Sequence, residues 1–241
     1  MKCLILAAGY ATRLYPLTEN FPKPLLKVGD KPILDWLIED LDKTGLIDGY
    51  IVVSNHKFAP IFEEWASLRS NVTVIDDGTS SNETRLGAVK DIELGIKSCG
   101  IDEDLLVMAG DNLLSFSLEG FLKYFKEKKT SCIMRYYEPD TARLHKSGVA
   151  EVNAHGLILS MEEKPAEPKS HWCCPPFYIY RHEDLHLLPA GIAAGCGTDA
   201  PGSFIAWLCT QTPVHAFEMP GPRYDIGNLE SYEAVKKIFE F

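Results

Sequence analysis

Cys3-Leu4-Ile5-Leu6-Ala7-Ala8-Gly9-Tyr10-Ala11-Thr12-Arg13-Leu14 stands near the start of the chain, and its reading decides the rest. Four apolar residues in succession indicate a strand buried on both faces. The small residues Ala7, Ala8 and Gly9 follow at once, and small side chains let a backbone approach a bulky ligand. Backbone N–H groups at such a strand-to-loop junction suit phosphate oxygens. Arg13 adds a cation, and Lys23, in Pro22-Lys23-Pro24-Leu25-Leu26, adds another ten residues later. These residues leave two readings open: a loop for an anionic ligand, or a tight connection with two surface cations. The stretch is neither a Walker A sequence nor G-x-G-x-x-G, so the usual phosphate and dinucleotide fingerprints do not apply.

The composition narrows the class. The 241 residues include 24 Lys and Arg against 34 Asp and Glu, a net charge of −10. A chain this acidic does not bind nucleic acid through its overall field, and any cationic pocket stands out against it. Apolar residues make up 46% and charged residues 24%, ordinary globular values. No apolar run reaches the roughly 18 residues of a membrane span. The apolar start is too short for a signal peptide, so it reads as the first strand of a cytoplasmic protein. Seven cysteines without C-x-x-C spacing indicate reduced thiols, not a disulfide framework.

Strand-like and helix-like segments alternate through the first half. Strands are expected at Cys3–Leu6, Tyr50–Val53, Val72–Ile75 and Leu105–Met108. Helical spacing covers 32–43, 61–68, 82–97 and 118–126. That order predicts a mostly parallel central sheet flanked by helices. After residue 130 the pattern is strand-rich, at 132–137, 149–152, 157–161, 177–180 and 214–217, with few helices between. A mixed or antiparallel extension of the same sheet follows, and an amphipathic helix closes the chain at 229–239. No repeat or linker divides it, so one α/β domain over 1–241 is expected.

The opening motif resembles the signature of the sugar-phosphate nucleotidyltransferases, the family that includes glucose-1-phosphate thymidylyltransferase. The resemblance rests on the loop ending Thr12-Arg13-Leu14 and on Pro22-Lys23-Pro24-Leu25-Leu26. It continues in order through Gly110-Asp111-Asn112, Glu162-Glu163-Lys164-Pro165 and Asp225-Ile226-Gly227. It implies a Rossmann-like three-layer fold with an NTP-binding half near 1–130, an acceptor-binding half near 131–241 and no C-terminal regulatory domain. It also implies transfer of NMP from an NTP to a sugar 1-phosphate with release of pyrophosphate, Mg²⁺ as cofactor, and a possible homo-oligomer.

The same resemblance assigns roles. Asp111 and Asp225 are hard oxygen ligands of the kind that hold Mg²⁺. Arg13 holds the leaving phosphates, and Lys23 reaches the α-phosphate. Ala7, Ala8 and Gly9 line the nucleotide, with Thr79 and Gly87 beside its base. Lys164 binds the acceptor phosphate and Glu163 its hydroxyls. Gly148 and Tyr178 line the acceptor pocket, and Asn112 stands beside Asp111.

The sequence departs from the family at several points. Ala11 replaces a glycine, which is tolerable if its φ stays negative. The base segment, Asp76 to Gly87, lacks the usual Gln, so the preferred NTP stays open. Ser147 stands where relatives acting on glucose 1-phosphate have Tyr, and Cys173-Cys174-Pro175-Pro176 replaces Thr-Gly. A second reading therefore remains: cytidylyl transfer to phosphocholine or another alcohol phosphate, with Tyr136, Tyr137, Trp172 and Phe177 as an aromatic cage. A third is a non-catalytic nucleotide or sugar-phosphate binder. His182-Glu183-Asp184-Leu185-His186 matches the zinc-protease pattern H-E-x-x-H. Pro189 closes that segment within about a turn, so it reads as a short surface helix.

Overall fold

The computed structural model describes residues 1–239. A ten-stranded sheet runs through both halves of the chain. Lys2–Leu6 lies at the centre of the first half, between Gly49–Ser54 and Leu105–Ala109, and Val72–Asp76 forms the outer edge. These pairings are parallel. From Phe177–Tyr180 onward the pairings turn antiparallel, through Ser131–Tyr137, Trp172–Cys174, Gly148–Val152 and Ile158–Glu163. Val214–Glu218 is the exception, pairing parallel with Ser131–Tyr137.

Period-two alternation sorts the strand residues onto two faces. Cys3, Ile5, Tyr50, Val52, Leu106 and Met108 pack under helices Ile33–Thr44, Ala59–Ala66 and Glu119–Lys128. Leu4, Ile51, Val53, Leu105 and Val107 pack under helices Ala88–Cys99 and Gly202–Leu208 on the other face. The result is the three-layer arrangement expected from the alternating pattern. No helix among the described residues is long and apolar enough to cross a membrane.

Two expectations need correction. The helix expected from residue 82 starts at Ala88. Gly87 has φ +95°, and the carbonyls of Asp199 and Thr198 accept from the N–H groups of Ala88 and Val89. Tertiary partners thus define the helix start, leaving 77–87 as a loop. The chain after residue 130 also holds more helix than its apolar pattern shows: Thr141–Leu144, Leu188–Ala193 and Gly202–Leu208 are each too short for periodicity to register. Pro189 opens the second of these, at a first-turn position where its missing N–H costs nothing.

Candidate active site

The parallel strands deliver their C-terminal ends to one side of the sheet, where ligands of open α/β sheets bind. Ala7 N–H donates to the Val53 carbonyl, and the buried Asn55 side chain donates to the Ala8 carbonyl. These bonds fix the strand-to-loop junction. Ala7 and Ala8 are buried, whereas Gly9 is exposed at the cleft. Ala11 takes φ +47°, a left-handed conformation, so the condition of a negative φ is not met. The buried Thr18 hydroxyl donates to the Ala11 carbonyl at 2.8 Å and holds the turn.

Lys23 reaches into the cleft from a single turn, Lys23–Leu25, with its side chain only 10% exposed. Its ammonium donates to Asp111 Oδ2 at 2.8 Å and lies 4.0 Å from Asp225 Oδ1. A two-stranded ribbon brings these distant carboxylates together: Asn112–Leu114 pairs antiparallel with Arg223–Asp225, placing Asn112 opposite Asp225. The buried Asn112 amide donates to Asp111 Oδ1 at 2.7 Å and accepts from Arg223. Burial alone would raise the Asp111 carboxyl; the Lys23 ammonium, and then Arg223, hold it below the usual range. Two carboxylate oxygens within 4 Å of one cationic atom form a donor set that suits a hard divalent cation.

Asp111 borders two clefts. One runs beside Gly9, Ala11, Arg13 and Lys23. The other extends along Gly148, Glu163, Lys164, Tyr178 and Asp225. Arg13 is exposed at the mouth and has no ion-pair partner among the described residues. In the second cleft, sheet register sets Glu163 opposite Gly148. A methyl group on Gly148 would come within 3.0 Å of Glu163 Oε1, and one on Gly202 within 1.8 Å. Both glycines make room for this carboxylate. Burial pushes the Glu163 carboxyl up, against Lys164 and the Gly202 N–H, which pull it down. Lys164 takes φ +49°, a left-handed conformation. Its N–H donates to the Ser147 carbonyl, which fixes the backbone from which the exposed side chain reaches the cleft. Tyr178 is buried, and burial pushes its hydroxyl well above its ordinary value.

Thr79 and Gly87 lie on the loop 77–87 and line neither cleft. The Thr79 hydroxyl donates to Asp77, and its carbonyl accepts from Tyr10. A methyl group on Gly87 would strike the Thr198 carbonyl at 2.4 Å. Sequence reasoning missed Arg223 and Lys146, both of which line the second cleft. Arg223 stands two residues before Asp225, and that strand spacing puts both on one face. Five cations, Arg13, Lys23, Lys146, Lys164 and Arg223, therefore gather in a chain of net charge −10.

An α/β sheet carrying a small-residue loop, a carboxylate pair and clustered cations at its strand ends defines a protein built for phosphorylated anions. The chain belongs to the nucleotidyl transferase family, whose match spans residues 2–240. A glucose-1-phosphate thymidylyltransferase of Mycobacterium tuberculosis is 31% identical over 208 residues, covering 85% of this chain and 67% of the relative. A UTP–glucose-1-phosphate uridylyltransferase of Haloferax volcanii is 30% identical over 238 residues, covering 98% and 96%. The solved structure of a UDP-glucose pyrophosphorylase complexed with UDP-glucose shares the fold, with a TM-score of 0.82 at 20% identity over 99% of this chain and 97% of that one.

Proposed function

We propose that this enzyme joins a nucleoside triphosphate to a sugar 1-phosphate, giving an NDP-sugar and pyrophosphate. The observation that carries the reading is Asp111, held by Lys23 beside Asp225, where the two clefts meet. An oxygen of the acceptor phosphate attacks the α-phosphorus in line. A new P–O bond forms, the bond to the β-phosphate oxygen breaks, and the electron pair leaves with pyrophosphate.

Both reactants are anions, so positioning and charge stabilisation do most of the work. Ala7, Ala8 and Gly9 present backbone to the triphosphate. Arg13 grips the β- and γ-phosphates through its planar fork. Lys23 stabilises charge at the α-phosphate, turning from its carboxylate partners toward the nucleotide. Lys164, with Lys146 and Arg223, holds the acceptor phosphate, and Glu163 accepts from sugar hydroxyls. Asn112 keeps Asp111 aimed at the junction. Asp111 and Asp225 would hold Mg²⁺, which supplies further neutralisation of phosphate charge when bound. The loop 77–87, with Thr79 and Gly87, would lie on the base side.

The aromatic-cage alternative lacks its cage. Phe177 is fully buried in the core, and the Trp172 ring is covered by the Arg135 guanidinium at 4.0 Å. The non-catalytic alternative has no support in the site either, since Arg13, Lys23, Asp111 and Asp225 all stand at the clefts. A matrix of NTPs against sugar 1-phosphates and phosphocholine, read by pyrophosphate release with and without EDTA, tests the proposal. Turnover should require a sugar 1-phosphate and a divalent cation. Turnover with phosphocholine alone, or none with any pair, would overturn it.

A further inference from the structure

The H-E-x-x-H segment takes no part in nucleotidyl transfer, yet its two imidazoles converge. His182–Leu185 forms one helical turn, with His186 immediately after it. The His182 backbone N–H donates to Asp104 Oδ1 at 2.9 Å, which anchors the turn on the loop before strand Leu105–Ala109. Asp102 comes from the same loop. His182 Nε2 lies 2.7 Å from Asp102 Oδ1 and 3.2 Å from His186 Nε2. His186 Nε2 lies 3.9 Å from the same Asp102 oxygen.

Each imidazole nitrogen has one in-plane position, filled by a proton or, in the neutral ring, by a lone pair that can bind a metal. Two imidazole nitrogens and one carboxylate oxygen, from two separate loops, thus converge on a single exposed point. That is a nitrogen and oxygen donor set of the kind that binds a borderline divalent cation. Edges of 2.7, 3.2 and 3.9 Å place all three atoms about 2 Å from a common point, the length of a Zn–N or Zn–O bond.

We propose that Asp102, His182 and His186 form a surface site for a Zn²⁺-class transition metal, with water as the fourth ligand. Two imidazoles and one carboxylate favour Zn²⁺ and its neighbours over Mg²⁺, which prefers oxygen donors. Protease chemistry is not implied, because Glu183 pairs with Arg181 at 2.8 Å. The site lies at the Leu105 end of strand Leu105–Ala109, whereas Asp111 follows the other end. Bound metal would clip the loop after helix Ala88–Cys99 to the turn after strand Phe177–Tyr180. Its effect is on stability, which rises with metal concentration because only the folded chain presents the site.

The test uses full-length, tag-free protein stripped with EDTA and dialysed, then titrated with ZnCl₂ by calorimetry and followed by thermal melts. About one Zn²⁺ per chain should bind at this site and raise Tm. His186→Ala and Asp102→Asn change exposed side chains and should fold normally, with affinity reduced about tenfold or more. Asp111→Asn should bind zinc as the parent does, separating this site from the proposed active site. No zinc-dependent rise in Tm in the parent, or undiminished binding by His186→Ala, would overturn the proposal.

Discussion

Ala11 and Lys164 line different clefts, one in the loop after strand Lys2–Leu6 and one at the end of strand Ile158–Glu163. Both are non-glycine residues in the left-handed region, at φ +47° and +49°. A left-handed conformation costs such a residue about 1–2 kcal/mol. At Lys164 the geometry positions an ammonium at the rim of the acceptor cleft. Ala11 has no group to position, and the buried Thr18 hydroxyl holds its turn. The first cleft thus combines a backbone-shaped loop with Arg13 and Lys23, the second is lined by charged side chains on strands and turns, and Asp111 borders both.

The largest effect should come at that junction. Asp111→Asn keeps the hydrogen bond to Asn112 within reach but removes the charge facing Lys23. We expect kcat/KM to fall about 10²-fold or more for both substrates, with a protein that still folds but melts at a lower Tm, because the nearly buried Lys23 ammonium loses its nearest partner. A loss confined to one substrate in steady-state kinetics would break the view that Asp111 serves both sides.

Lys164→Ala should act on one side only. The acceptor KM should rise about tenfold while the NTP KM stays put, because one charge-assisted phosphate contact is lost. A larger change in the NTP KM would place Lys164 with the nucleotide and dissolve the division. Gly202→Ala offers an independent check, since its methyl would displace Glu163 from the same cleft.

The difference between the two sides also governs what the sequence makes legible. Buried strands such as Lys2–Leu6 and Leu105–Ala109 read as apolar runs because helices cover both faces. Arg13, Lys23, Asp111, Asp225 and Lys164 sit in contiguous motifs, and resemblance reaches them directly. Arg223 and Lys146 sit outside those motifs: ribbon register places Arg223, and the turn between helix Thr141–Leu144 and strand Gly148–Val152 carries Lys146 to the cleft. The start of helix Ala88–Cys99 was hidden for a similar reason: its first N–H groups are satisfied by carbonyls more than 100 residues away. The left-handed φ of Ala11 has no signature in residue type, because alanine gives no warning of it.

Helix Ala88–Cys99 hides a buried acid in its first turn that sharpens the comparison through pH. Asp91 is 5% exposed, its Oδ1 has no partner among the described residues, and burial, with Asp77 nearby, pushes its carboxyl up to about 7. The folded chain therefore keeps a proton that the unfolded chain releases near 3.8. Stability should be greatest at the acidic end of this window and decline as pH rises from about 4 to about 7. Asp91→Asn mimics the protonated form. It should flatten that decline and gain on the order of 2 kcal/mol at pH 8, with little gain near pH 4. Urea melts across the range measure it; equal gains at both ends would show that the charge is not the cause.

The smallest effect returns to the left-handed pair. Ala11→Gly removes a β-carbon that the turn disfavours, at the entropic cost of a freer unfolded chain. A net gain of up to about 1 kcal/mol is expected, with little change in either KM, because the methyl group lining the cleft offers a phosphate neither charge nor hydrogen bond. Lys164→Gly relieves the same strain and should gain a similar amount, yet it should lose acceptor affinity as Lys164→Ala does. The two glycine variants would then agree in Tm and diverge in acceptor KM. If Ala11→Gly instead lowered activity, the Ala11 methyl would be shaping the proposed phosphate loop itself, beyond what Arg13 and Lys23 contribute.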